Sequence, residues 1–169
     1  MNKKTLIIVF LIAFGFVGLL WWGKNTQASK PDQLQSQSDI GEKSALVASE
    51  ILYDFKTISM KDGLVNHIFE ITNPTSSDIN VKTLTTSCMC TKAYIEDVKG
   101  EKGPFGMPAM GSVPPANEII KAGETVDIKV VYDPNAHGPA GVGKIDRLIY
   151  LKEPDGKALT LEIKAIVTP

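Results

Sequence analysis

The stretch Ala158-Leu159-Thr160-Leu161-Glu162-Ile163-Lys164-Ala165-Ile166-Val167 decides the fold that the sequence predicts. Apolar side chains occupy every second position along it, and most positions between them are polar. A period of two is typical of a β-strand with one buried and one exposed face. The turn sequence Pro154-Asp155-Gly156 precedes this strand, so we expect Lys144 to Lys152 to form the other arm of a closing hairpin.

The same alternation recurs upstream, and no segment beyond the first 22 residues carries the 3.6-residue apolar stripe of a helix. The further predicted strands are Ile51 to Phe55, Leu64 to Thr72, Ile79 to Thr85, Lys92 to Asp97, Glu118 to Ile120 and Thr125 to Tyr132. Seven or so short strands separated by turns indicate an all-β, immunoglobulin-like antiparallel β-sandwich over residues 45–169.

Two glycine-rich segments interrupt the alternation. Gly100 to Asn117 contains four glycines, four prolines, Met107 and Met110, and it predicts a long loop. Loops of this length inside a compact domain are usually functional or disordered. Asn135 to Gly143 predicts a second loop, which contains His137.

The N-terminal part of the chain predicts a membrane anchor. Leu6 to Trp22 is an unbroken run of apolar residues and glycine, and a helix needs about 17 to 20 such residues to cross the hydrocarbon core. We expect residues 1–4 in the cytoplasm, 5–22 as a single transmembrane helix and 23–44 as a flexible linker. Lys3 and Lys4 precede the run and only Lys24 follows it closely, which places the folded domain on the extracytoplasmic side of the cell membrane. The alternative is a cleaved signal peptide.

Composition narrows the classes of partner. The chain has 18 basic and 19 acidic residues, a net charge of −1, so it lacks the basic stripe that nucleic acid binding requires. No nucleophile elbow, phosphate loop or dinucleotide glycine pattern is present in the sequence. The sequence therefore predicts a non-enzymatic binding or assembly module that contacts the membrane through its N-terminal helix and an unidentified protein partner.

The only two cysteines lie in Thr86-Ser87-Cys88-Met89-Cys90-Thr91. In an extended strand, Cys88 and Cys90 would point to the same face and Met89 to the other. An exported protein favours a disulfide, although a bridge across one residue closes a very small ring, which predicts a strained and easily reduced bond.

Two further roles for the sulfur atoms stay open. Thiolate and thioether ligands select Cu(I), so the candidate metal site combines Cys88, Cys90, Met107, Met110 and His137. Otherwise no cofactor is expected. Thiol–disulfide exchange would require an exposed thiol with a lowered pKa, and Lys92 is the only basic residue that adjoins the cysteines in sequence.

Five short motifs follow one another in a recognisable order. They are Tyr53-Asp54-Phe55, Phe69-Glu70-Ile71-Thr72-Asn73, the cysteine segment, Lys121-Ala122-Gly123-Glu124 and Val130-Val131-Tyr132-Asp133-Pro134. This order resembles the bacterial domain of unknown function 1573, whose hallmark is Ser-Cys-Gly-Cys-Thr. The resemblance implies an immunoglobulin-like sandwich related to Hydin-type domains, exported or membrane-anchored, with no established activity. Met89 stands where the family has glycine, so a turn that needs positive φ there would be strained.

Overall fold

The computed structural model of the protein describes residues 43–98, 100–110 and 113–169. The predicted anchor and almost all of the predicted linker lie outside the described residues. No helix of the described part is long and apolar enough to cross a membrane. Lys43 and Ser44, the last two residues of the predicted linker, already belong to the fold, since Lys43 bridges to Ala158 and the Ser44 amide donates to the Ala158 carbonyl over 3.1 Å.

The described residues form eleven β-strands, which confirms the all-β prediction. In chain order they are β1 (Val47–Ala48), β2 (Leu52–Ser59), β3 (Val65–Thr72), β4 (Ile79–Val81), β5 (Thr83–Thr86), β6 (Thr91–Asp97), β7 (Gly100–Phe105), β8 (Glu118–Ile120), β9 (Thr125–Tyr132), β10 (Gly143–Lys152) and β11 (Ala158–Thr168).

Two larger sheets form a sandwich around one core. One sheet has the strand order β1-β3-β9-β6-β7, the other has the order β2-β11-β10-β5, and β4 pairs with β8 in a small third sheet. The prediction of an antiparallel arrangement is wrong for one pair, because β2 runs parallel to β11. The first long strand and the last strand of the domain therefore lie side by side.

The positions that alternate between apolar and polar in the sequence alternate between buried and more exposed in the structure. On β9, Val126, Ile128, Val130 and Tyr132 are all less than 5% exposed. The apolar positions of β11 that define its period of two are buried in the same core cluster, which contains residues of both larger sheets. Full burial of such a side chain contributes about 1.5–3 kcal/mol, so these two central strands supply much of the driving force for folding.

Two predicted elements differ from the structure. Ile79 to Thr85 is two strands in different sheets, because the Lys82 carbonyl between them accepts hydrogen bonds from the amides of Ala116 and Asn117. Gly100–Phe105, predicted as loop, is the edge strand β7. All of its residues except Phe105 are exposed, so burial imposes no alternation and the strand pairs through its backbone.

Candidate functional site

The topology brings two crossovers between the larger sheets together. The cysteine segment joins β5 in one sheet to β6 in the other, and residues 133–142 join β9 back to β10. Thr91, at the start of β6, pairs with Tyr132 at the end of β9. The two crossovers therefore lie at the same end of the sandwich. The Asp133 amide links them by donating a hydrogen bond to the Cys90 carbonyl over 2.8 Å.

The cysteine segment is a tight turn and not an extended strand. The Thr91 amide donates to the Cys88 carbonyl over 3.2 Å, which closes a four-residue turn. Among the described non-glycine residues only Lys56 and Asn117 have positive φ, so Met89 occupies the glycine position of the motif in an ordinary conformation. The expectation that Cys88 and Cys90 share one face of an extended strand is therefore wrong. The turn nevertheless brings their sulfur atoms together as a disulfide, with Cα atoms 5.3 Å apart.

A buried threonine holds the turn from inside. Thr86 is 2% exposed, and its hydroxyl lies 3.0 Å from the carbonyl oxygen of Cys88 and 3.0 Å from that of Thr91. Its single proton is shared between these two acceptors. Because the same side chain contacts both ends of the turn, it fixes the turn that carries the sulfur atoms relative to strands β5 and β6.

His137 reaches the first sulfur from the second crossover. Its Nε2 lies 3.2 Å from Sγ of Cys88, across 49 positions of sequence. The loop that carries it is shaped locally, because the Asn135 amide donates to a carboxylate oxygen of Asp133 and a 3₁₀ turn follows at Gly138–Gly141. The structure thus places His137 with the cysteines, as the candidate site predicted.

Arg147 reaches the second sulfur and was missed by the sequence analysis. Its Nε donates to Sγ of Cys90 over 3.3 Å, from a position on β10 that is 57 residues away. Cys90 is 2% exposed, so its sulfur faces a guanidinium at the boundary of the core. Burial raises the pKa of the neighbouring Tyr132 hydroxyl, and the positive charge of Arg147 opposes that shift.

One signal in the sequence could have found this residue. Arg147 is the only arginine among 169 residues, and its side chain contacts one of the only two cysteines. Lys92, the basic residue that adjoins the cysteines in sequence, is turned elsewhere: its ammonium lies so close to Gly106 that an added Cβ there would approach to 2.9 Å. The cation that contacts a sulfur atom is therefore Arg147, which is distant in sequence, and not the adjacent Lys92.

A pocket of about 300 Å³ is lined by both residues that contact the sulfur atoms, although neither cysteine lines it. Its walls include His137 and Arg147, which contact the two sulfurs, and Lys144 at the start of β10. Its remaining lining residues are uncharged. The site therefore combines a disulfide, a concave surface and three groups that carry or can carry positive charge.

The predicted metal ligands are only partly brought together. The ligand atoms of Cys88, Cys90 and His137 all lie within 4.8 Å of one another. Met107 is half-buried and follows Gly106, whose carbonyl accepts the Thr86 amide over 3.2 Å, so the glycine-rich segment does approach the cysteine crossover. Participation of Met107 and Met110 in the site stays a prediction.

The second histidine has a structural environment, as its position on an apolar strand face suggests. The ring of His67 stacks on Tyr53 with centroids 3.5 Å apart and an interplanar angle of 5°. Its Nε2 lies 2.7 Å from a carboxylate oxygen of Glu50. His67 is thus a satisfied residue at the rim of the core.

Comparisons with known proteins bear on the fold alone. A protein of unknown function from Porphyromonas gingivalis W83 is 16% identical with a TM-score of 0.52, and the match covers 75% of this chain and 48% of that one. A family 123 glycoside hydrolase from Clostridium perfringens is 10% identical with a TM-score of 0.53, covering 74% of this chain and 27% of that one. The PapD-like domain 7 of human CEP192 is 10% identical with a TM-score of 0.41, covering 75% and 87%.

This chain thus spans about half of the first of these proteins and about a quarter of the second. No model of a protein family matches it, and a search of curated proteins finds no match. The resemblance to the domain of unknown function 1573 stays an expectation. At identities this low, the likeness shows a shared β-rich fold and assigns no activity to the two-cysteine site.

Proposed function

We propose that the protein is a membrane-tethered, extracytoplasmic module of immunoglobulin-like type whose working element is a reversible Cys88–Cys90 disulfide. One observation carries the proposal: each sulfur has a nitrogen group against it, His137 at Cys88 and Arg147 at Cys90. A guanidinium beside a sulfur favours the thiolate, which is the form that leaves, attacks and exchanges.

The two sulfurs differ in the way an exchange site requires. Cys88 is half-buried at the surface of the turn, while Cys90 is almost fully buried. An incoming thiol therefore reaches Cys88 first, and Cys90 becomes the leaving thiolate beside Arg147. Exchange rates depend on which sulfur is attacked and on how well the leaving thiolate is stabilised, so this asymmetry directs the reaction.

The bridge contributes little as a structural brace. It closes a loop with a single intervening residue, and the chain-entropy relation gives about 1.5 kcal/mol for so short a loop against about 3 kcal/mol for one of 15 residues. The main-chain hydrogen bond from Thr91 to Cys88 and the Thr86 hydroxyl hold the turn independently of the sulfur atoms. A redox role therefore accounts for the paired cysteines better than stabilisation does.

The test is a redox titration of the full-length protein in a mild detergent. The protein is equilibrated in thiol–disulfide buffers of defined potential, and the free thiols are counted by alkylation and mass spectrometry. We expect a reversible two-electron transition well above roughly −300 mV, the region below which structural disulfides of secreted proteins lie. Arg147→Gln should shift the midpoint to more negative values, since the reduced form loses its stabilising cation, and Arg147→Lys should restore part of the shift.

The alternative is the non-enzymatic binding or assembly module that the sequence predicts. In that case the bridge is only a brace, and it stays oxidised throughout the titration while the protein remains folded. A midpoint that does not respond to Arg147→Gln would likewise remove the observation on which the redox role depends.

A second candidate function is Cu(I) binding by the reduced form. Two thiolates and an imidazole whose ligand atoms lie within 4.8 Å of one another form a soft donor set that fits Cu(I). Reduced wild-type protein should then compete with a chelator for Cu(I), the oxidised protein should not, and Cys88→Ser/Cys90→Ser should bind no better than the oxidised protein. Met107→Leu/Met110→Leu tests whether either thioether adds affinity.

A further inference from the structure

The pocket beside the disulfide has a one-sided charge. Of its lining residues, Lys144 and Arg147 are cationic, His137 can become so, and none is acidic. Neither of the two carboxylates nearest to them in sequence lines the pocket, although the charge of Asp146 is close enough to Lys144 to interact with it. Asp133 accepts the Asn135 amide over 2.8 Å, and a carboxylate oxygen of Asp146 lies 3.8 Å from the ammonium of Lys164. The pocket therefore attracts a negatively charged group.

The pocket and the disulfide share two walls. His137 and Arg147 line the pocket and also contact Sγ of Cys88 and Cys90, at 3.2 Å and 3.3 Å. Neither cysteine lines the pocket, so a molecule seated there lies against the two side chains that contact the sulfur atoms. At about 300 Å³, the space suits a small molecule or the end of a peptide.

We infer that this pocket binds the carboxylate of a small thiol, and that this thiol and its disulfide are the redox partners of Cys88–Cys90. The inference rests on the proposed redox function and adds the chemical class of the substrate. A carboxylate fits because a guanidinium and an ammonium are its usual partners, and because a thiol that carries one can bring its sulfur within reach of Cys88.

The exchange occurs in two balanced steps. A bound thiolate RS⁻ attacks Sγ of Cys88, the Cys88–Cys90 bond breaks, and its electron pair leaves on Cys90 beside Arg147. A second thiolate then attacks the R sulfur of the mixed disulfide, which releases RS–SR and leaves the Cys88 thiolate near His137. Two thiols are oxidised to one disulfide, two protons are taken up as the cysteines become thiols, and the protein disulfide is reduced by two electrons.

The experiment compares three probe thiols of different charge on the oxidised full-length protein in a non-ionic detergent. The probes are 3-mercaptopropionate (anionic), 2-mercaptoethanol (neutral) and cysteamine (cationic). Each reduction rate is corrected for the thiolate fraction and divided by the rate of the same thiol with an uncharged model disulfide. We expect the anionic thiol to react about tenfold faster than the cationic one, and salt to shrink the difference.

Two lysine variants distinguish the pocket from the general charge of the protein. Lys144→Gln should lower the rate of 3-mercaptopropionate about threefold and that of 2-mercaptoethanol clearly less, since only the first probe carries a carboxylate. Lys152→Gln is the matched control, since Lys152 is an exposed lysine at the other end of the same strand, and it should leave all three rates unchanged.

The outcomes separate the two proposals. Equal corrected rates for the three thiols, or equal effects of Lys144→Gln and Lys152→Gln, would overturn the carboxylate pocket while the redox couple stands. A disulfide that none of the three thiols reduces in folded protein would overturn the redox function itself, and the substrate assignment with it.

Discussion

The end and the middle of β10 lie in contrasting surroundings. At its last residue the chain enters the hairpin turn of residues 153–157, where the amide of Glu153 donates to the Lys157 carbonyl and Gly156 donates back to Glu153. In the middle of the strand, Arg147 contacts the sulfur atom of a residue 57 positions away in sequence. The hairpin turn is made by residues within four positions of one another, whereas the cysteine crossover depends on three distant segments. A short stretch of sequence is therefore enough to predict the hairpin turn, and it is not enough to predict the contacts of the candidate site.

The largest effect is expected from removing a buried hydroxyl inside the cysteine crossover. Thr86→Val removes the buried hydroxyl that holds the carbonyls of Cys88 and Thr91, and we expect the free energy of unfolding to fall by about 2 kcal/mol. Urea denaturation measures it. Thr85→Val is the control, since Thr85 is the preceding residue and its side chain is only half-buried. This change should alter the free energy of unfolding by less than about 0.5 kcal/mol. Equal losses in the two variants would show that the hydroxyl does not hold the turn.

The next effect concerns the bridge itself. Cys88→Ser/Cys90→Ser should lower the free energy of unfolding by about 1.5 kcal/mol, because the loop that the disulfide closes is so short. The reduced wild-type protein, measured in the same urea series, should match the double variant. A loss of more than about 4 kcal/mol would make the bridge a structural brace and would argue against exchange.

At the hairpin a backbone conformation is the sensitive feature. Gly156 has φ of +92°, and a Cβ there would meet nothing within 4 Å, so the cost of a side chain is conformational. Gly156→Ala should lower the free energy of unfolding by about 1 kcal/mol. Gly156→Asn should cost less, because asparagine tolerates positive φ better, and the redox midpoint of the crossover should not move with either change.

The smallest effect is electrostatic. Hydrogen bonds from the side chain and amide of Lys157 lower the pKa of Asp155 below its ordinary value of 3.8. A lowered pKa stabilises the fold above the unfolded-state pKa, and the contribution is lost as pH falls through the folded-state value. An NMR titration of the carboxyl should show the shift, high salt should reduce it, and Lys157→Gln should remove most of it. A pKa indifferent to Lys157→Gln would contradict the assigned cause.

Much of the scaffold could be predicted because burial repeats along the chain. The alternation in β9 and β11 is readable since each buried residue is followed by one turned away from the core. Elements without alternating burial were predicted wrongly. The residues of β7 are nearly all exposed and follow no apolar pattern. The break between β4 and β5 depends on hydrogen bonds from the amides of Ala116 and Asn117, which are distant in sequence.

The site was predictable only in its chemistry. Cysteine and histidine stand out as rare, reactive residue types, so Cys88, Cys90 and His137 could be proposed without a fold. Arg147 stands out as the single arginine of the sequence, but its contact with Cys90 could not be foreseen, because it follows from the pairing of β5 with β10, where Thr86 lies opposite Ile149. Strand pairing across some sixty residues leaves no local trace in a single sequence.

One edge strand of each larger sheet has a consequence for the way in which copies of the chain meet one another. Strand β2 carries a bulge, since Phe55 and Lys56 oppose the single residue Ala165 and Lys56 has φ of +60°. Strand β7 contains Pro104, which has no amide hydrogen to offer. Bulges, prolines and charges at an edge hinder the addition of a strand from another molecule. These two edges therefore hinder edge-to-edge aggregation, and they would do so at high local concentration if the chain is tethered to a membrane as we propose.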